Sequence, residues 1–216
     1  MSRRTLALIT ATTTATLLLT ACGGGGGRTD DIEGADTAPD ASPSVSASGS
    51  AAPSGASRPD ITLPSSFRLT FENWTSSDPV KQAVLNDARE ELRAGYAAII
   101  ANKPDGGEEL AFYDTETGLA QSQKWIRSYT DKNVTVIGKL PAFAAKVVLA
   151  NNGRAASLSY CTDESEAYTR NRKTNKVEGN PAGTDPYVLY VVSLAKGAQG
   201  VWRNSSVQAK RGGCSK

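Results

Sequence analysis

Residues 134–160, VTVIGKLPAFAAKVVLANNGRAASLSY, decide the fold, because the hydrophobic period of the chain changes within them. Phe143, Val147 and Leu149, then Ala156, Leu158 and Tyr160, alternate as the inward residues of strands do, and Asn151-Asn152-Gly153-Arg154 between them is a tight hairpin signal. Downstream, two further β-rich runs, 187–194 and 201–209, are joined by Lys196-Gly197-Ala198-Gln199-Gly200, a loop of turn residues. The stretch 167–172 reads as a polar intervening strand.

Upstream the period is helical. Asp78 suits an N-cap and Pro79 the first helical position, where a missing N–H costs nothing. Val80, Val84, Leu85, Ala88, Leu92, Tyr96, Ile99 and Ile100 recur at helical spacing, with Lys81, Asp87, Arg89, Glu90 and Arg93 assigned to the other face. This helix stops at Asn102-Lys103-Pro104, since proline disfavours the α region for the residue before it. Residues 108–113 and 117–129 read as a short and a longer helix, the second with a buried stripe of Leu119, Ile126 and Tyr129. Helices first and an antiparallel meander afterwards predict an α+β domain with helices packed on one face of a curved sheet.

The N-terminus has a different character. Arg3 and Arg4 precede an apolar stretch from Leu6 to Leu19, which ends in Leu19-Thr20-Ala21-Cys22. This resembles a bacterial lipoprotein signal peptide, in which the segment is too short to span, and the small residue before the cysteine fits the peptidase. The resemblance implies cleavage after residue 21 and a diacylglyceryl group on Cys22, holding the chain on the extracytoplasmic face of the cell membrane. Ser2-Arg3-Arg4-Thr5-Leu6 also resembles a twin-arginine signal without its usual Phe and Lys, so the general secretory and twin-arginine routes both stay open. From Gly23 to Leu63, 26 of 41 residues are Gly, Ala, Ser or Pro. Too little apolar surface is available there to offset ordering entropy, and a flexible coil of that length spans roughly 35 Å. The expected organisation is a leader at 1–21, a tether at 22–63 and one domain at 64–216.

Composition excludes several chemistries. The 216 residues contain no His, which removes Ser-His-Asp and Cys-His catalysis and His-ligated metals. A net charge of +2 provides no field for nucleic acid. No cofactor, metal or catalytic residue is assigned. With Cys22 committed to lipid, Cys161 and Cys214 remain in an exported domain and are expected to form a disulfide, worth on the order of 4 kcal/mol in the chain-entropy model. Asp163 and Glu164, the acids nearest to strands, read as solvated turn carboxylates. Arg170, Arg172, Lys173 and Lys176 form a local basic cluster beside Tyr168 on a solvated edge or loop.

The element order, the export signal, the Ser/Pro-rich linker, the helix at Asp78-Pro79 and a last strand running from Trp202 to Cys214 resemble small actinobacterial lipoproteins with the nuclear transport factor 2-like, cone-shaped fold. That resemblance implies a cavity between sheet and helices. Tyr96, Trp125, Tyr129, Tyr160 and Tyr190 are candidates to line it, although their spacing is equally that of ordinary core. The functional expectation is a non-catalytic, membrane-anchored surface protein binding an envelope partner or a small apolar ligand. The alternatives are a pocket enzyme of ketosteroid-isomerase or polyketide-cyclase type, and an accessory or sensory domain of an envelope assembly.

Overall fold

A computed structural model describes residues 56–215. The leader, the Leu19–Cys22 motif and most of the tether lie outside the described residues. Strand β1 (Phe67–Phe71) is followed by helices α1 (Pro79–Ala101), α2 (Gly107–Tyr113) and α3 (Glu116–Thr130). Strands β2 (Val134–Leu149), β3 (Ala155–Asp163), β4 (Ala167–Asn171), β5 (Val177–Glu178), β6 (Tyr187–Lys196) and β7 (Trp202–Arg211) complete the domain.

Helix α1 starts where the sequence predicts. The Asp78 carboxylate accepts from Val80 N at 2.8 Å and Lys81 N at 3.2 Å, satisfying two of the amides that a helix start leaves unpaired. It ends at Asn102, whose left-handed backbone (φ 59°) lets Lys103 N reach Ala98 O at 2.9 Å. Arg172 donates to the Ile99 and Ile100 carbonyls at this same end, so its cation faces the negative pole of the helix. Lys176 pairs with Glu178 at 2.6 Å. The expected basic cluster is thereby split, because two of its members have partners within the domain.

The sheet runs β5-β4-β2-β3-β6-β7 with antiparallel neighbours, and β1 pairs with β2 in parallel. Strand β2 is the spine: its first five residues pair with β4, and Ala142 onward pairs with β3. Two irregularities curl it between these partners. Gly138 has φ 94°, and a Cβ there would lie 2.1 Å from Glu166 O, so only glycine fits. Between Phe143 and Lys146 the register slips, with Ala144 at φ 54°, and a bulge of this kind bends a strand and increases its twist. The helices pack into the concave face, giving the expected cone-shaped α+β arrangement.

Strand β1 is not among the sequence expectations. Its pairing with β2 crosses three helices, a non-local contact that no turn signal announces. The packed chain also begins upstream of residue 64: Ile61 is buried, Arg93 donates to its carbonyl, and Arg58 reaches Asp87 at 2.6 Å. Asp87, assigned above to the outer face of α1, is only 1% exposed and also accepts from Trp202 N at 2.8 Å. A cation and a strand amide therefore hold it inside. Cys161 and Cys214 are disulfide-bonded, tying β3 across β6 to the tail after β7.

Candidate functional site

The inner face of the cone encloses a cavity of about 240 Å³. Helix α1 contributes Glu91, Leu92 and Tyr96, and α3 contributes Ser122 and Trp125. The sheet adds Leu140 of β2, Tyr160 and Thr162 of β3, Tyr190 of β6, and Val207 and Ala209 of β7. Gly95 brings the two helices together, since a Cβ there would stand 2.8 Å from the Trp125 ring. Tyr96 meets Trp125 edge-on at 5.1 Å, and Tyr160 stacks on Tyr190 at 5.1 Å with planes 11° apart. These contacts make the walls rigid aromatic surfaces. Gln121, also on the wall, donates to Val207 O at 2.5 Å and accepts from Val207 N at 2.9 Å, tying α3 to the outer edge of β7.

Four of the five aromatic candidates, Tyr96, Trp125, Tyr160 and Tyr190, line this cavity. Tyr129 lies instead on an adjoining cavity of about 200 Å³, which shares Tyr96 and Leu140 with the first. The second space is more polar. Glu164 lines it and pairs with Arg211 at 2.5 Å, so this carboxylate has a cation rather than water alone. Asp163 accepts from Ser165 N at 3.0 Å.

The carboxyl group inside the cone is Glu91, which the reading of residue spacing missed. A signal for it exists: Glu91 falls three residues after Ala88 and seven after Val84, on the apolar stripe of α1 where an acid is out of place. It is half-buried, and Asn204 Nδ2 donates to its Oε1 at 3.4 Å. Behind it lies Asp114, wholly buried, with no hydrogen-bond partner meeting normal geometry for either carboxylate oxygen. Asp114 and Asn204 are adjacent because Thr115 N donates to Asn204 O at 2.8 Å where the α2–α3 junction meets β7. Gly118 makes the approach possible, as a Cβ there would stand 2.1 Å from Asn204 O.

Burial, then the Asp114 charge, holds the Glu91 carboxyl well above the usual carboxylate range, with Asn204 partly opposing. Burial likewise raises Asp114, to about 7, offset by Ser122 and Asn204 beside it and by the charge of Arg203. Burial raises Tyr96 and Tyr160 as well, and Tyr160 also feels Tyr190 and Glu91. Burial therefore favours the neutral forms of the phenols and of the Glu91 carboxyl that face the cavity. Among the described residues no group of three or more His, Cys, Asp or Glu is placed to hold a metal ion.

Two other hollows lack this chemistry. One of about 240 Å³, between residues 60–64 and the second half of α1, is lined largely by alanines. The other, about 510 Å³ beside Trp202, contains Asp87, already paired with Arg58.

No protein-family model and no curated protein matches the chain. Among solved structures, it is similar to a nuclear transport factor 2-like superfamily protein from Salmonella enterica. The identity is 15%, covering 63% of this chain and 93% of that one, with a TM-score of 0.42. A ketosteroid isomerase-like protein from Erwinia carotovora is 13% identical, with coverages of 63% and 98% and a TM-score of 0.42. Aln2 from Streptomyces sp. is 11% identical, with coverages of 60% and 90% and a TM-score of 0.43. The site described above rests on this chain's own residues.

Proposed function

We propose that this chain is an exported protein, lipid-anchored through Cys22 on the extracytoplasmic face of the membrane. Its domain takes up a small, mainly apolar molecule carrying a hydrogen-bond acceptor. One observation carries the ligand reading: the Glu91 carboxyl, held above the usual carboxylate range by burial and the Asp114 charge, stands in an aromatic cavity that the protein's own side chains leave open. Binding cavities of this kind combine apolar walls with a few polar groups, and a volume below roughly 300 Å³ calls for a molecule smaller than a typical drug. Cyclohexanone is a suitable probe. In a ¹H–¹⁵N NMR titration, shifts confined to the surroundings of Tyr96, Tyr160 and Tyr190, and abolished by the cavity-filling Leu140→Trp, support the reading. No shifts at millimolar probe would end it. Incorporation of labelled palmitate in wild type, lost in Cys22→Ser, tests the anchor.

A second reading, proton transfer next to a carbonyl, is favoured by Glu91 acting on the charge environment of Tyr160, a carboxyl and a phenol sharing one cavity. Glu91 would serve as the acid while protonated and as the base once ionised. Hydrogen–deuterium exchange at the carbon beside the cyclohexanone carbonyl, read by NMR, tests it. Exchange that rises with pH and disappears in Glu91→Gln supports an enzyme, whereas binding without exchange supports a carrier.

A further inference from the structure

The aromatic cavity and the adjoining, more polar one share two lining residues, Tyr96 of α1 and Leu140 of β2. Strand β1 runs along both spaces. Leu69 lines the first, and Phe67, two residues earlier and so on the same face of the strand, lines the second. Two spaces with a common strand along them and two residues in common are divided by those two residues. The ring contacts say the same of Tyr96. Its centroid lies 4.9 Å from that of Phe67, which belongs to the second cavity, and 5.1 Å from that of Trp125, which belongs to the first. Leu140 stands in register with Leu69, and both Tyr96 and Leu140 are buried. Interiors pack as densely as organic crystals, so a ring held between two others does not swing aside without losing contacts on both.

The two sides of this wall differ in chemistry. No cation lines the first cavity, whereas the second contains the Glu164–Arg211 ion pair. We propose that Tyr96 is a specificity-determining residue: its ring, backed by Leu140, ends the first cavity, limits the ligand to about the size of one six-membered ring, and keeps it from the Glu164–Arg211 pair. This deepens the cavity reading above and rests on it for the ligand, but not for the existence of the wall. Without the ring, a molecule of two linked rings would reach from Trp125 into the second space. There its far ring would bury apolar surface against Phe67 and Tyr129, and a terminal hydroxyl would meet Glu164 or Arg211. The barrier is the volume of the ring, so the Tyr96 hydroxyl plays no part in it.

The test compares two probes on the full chain by NMR titration: cyclohexanone, and the para-linked two-ring ketone hydroxycyclohexyl-cyclohexanone, hydroxylated at its far end. Wild type is expected to bind cyclohexanone about tenfold more tightly than the longer ketone, without shifts at the Thr169 and Gly179 amides of the second cavity. Tyr96→Ala is expected to bind the longer ketone about tenfold more tightly than wild type does, with shifts at those two amides. Tyr96→Phe, which keeps the ring, is expected to discriminate as wild type does. A wild type that binds both ketones equally overturns the proposal and leaves the cavity reading standing. So does a Tyr96→Ala variant that gains nothing, or a Tyr96→Phe variant that gains as much as Tyr96→Ala. Should Tyr96→Ala fail to fold, Tyr96→Leu, which keeps an aliphatic side chain between Phe67 and Trp125, decides, and the absence of a gain there is equally fatal. If wild type binds neither ketone, the cavity reading fails. The wall then stands only if removing the ring admits the longer ketone, and falls if it does not.

Discussion

Asp87 and Glu91 sit four residues apart on one helix and face inward, yet their surroundings are opposite. Around Asp87 the protein supplies a guanidinium at 2.6 Å and a strand amide at 2.8 Å. Around Glu91 it supplies an open cavity, one amide at 3.4 Å and a second acid behind that amide. Burial of an acid therefore has two meanings here. The first acid fixes the chain leading into the domain against α1 and the start of β7. The second faces a cavity that a ligand can reach.

Breaking the first region gives the largest effect. Arg58→Ala leaves Asp87 buried without its cation and is expected to destabilise the domain by about 4 kcal/mol, read by urea unfolding. A loss near zero would make the two acids equivalent. Asp114→Asn should act in the opposite direction. Its carboxyl is raised to about 7 in the folded state, against about 4 when unfolded, so the unfolded chain binds fewer protons between those values. The stability this group contributes is complete below pH 4 and is lost as pH rises through 7. The variant is thus expected to be more stable than wild type at pH 8, on the order of 2 kcal/mol, with a flatter stability profile from pH 4 to 8. Asp78→Ala removes the α1 cap while touching neither acid, and a loss of about 1 kcal/mol calibrates what disturbing the helix alone costs. Smallest is Glu91→Leu, expected within about 0.5 kcal/mol of wild type while abolishing cyclohexanone binding, because an acid without a cation partner stabilises little.

What was legible in the sequence followed from how local the cause was. The start of α1 is set by Asp78 and Pro79, and its end by Asn102-Lys103-Pro104, all within a few residues. The hairpin between β2 and β3 is announced by its own turn. Pairing of Cys161 with Cys214 is long-range, but reading Cys22 as a lipid-attachment site leaves only two thiols to pair. Strand β1 was illegible because a five-residue run gains its place only by parallel contact with β2. The acid pair was illegible for the same reason: Glu91 and Asn204 are 113 residues apart, and Asp114 carries only the signature of a helix boundary. Glu91 itself was readable in part, as an acid on an apolar stripe, but its partners were not.

The two bonds between the Gln121 amide and Val207 have a meaning beyond the cavity wall. Strand β7 ends the sheet, and its outward N–H and C=O groups are what a stray strand from another molecule would seize. Gln121 occupies one donor and one acceptor of that edge, and Thr115 occupies the Asn204 carbonyl further along. With side chains standing where a further strand would lie, β7 is partly closed to self-association, and the same edge, stripped by Gln121→Ala, is expected to become a point of aggregation.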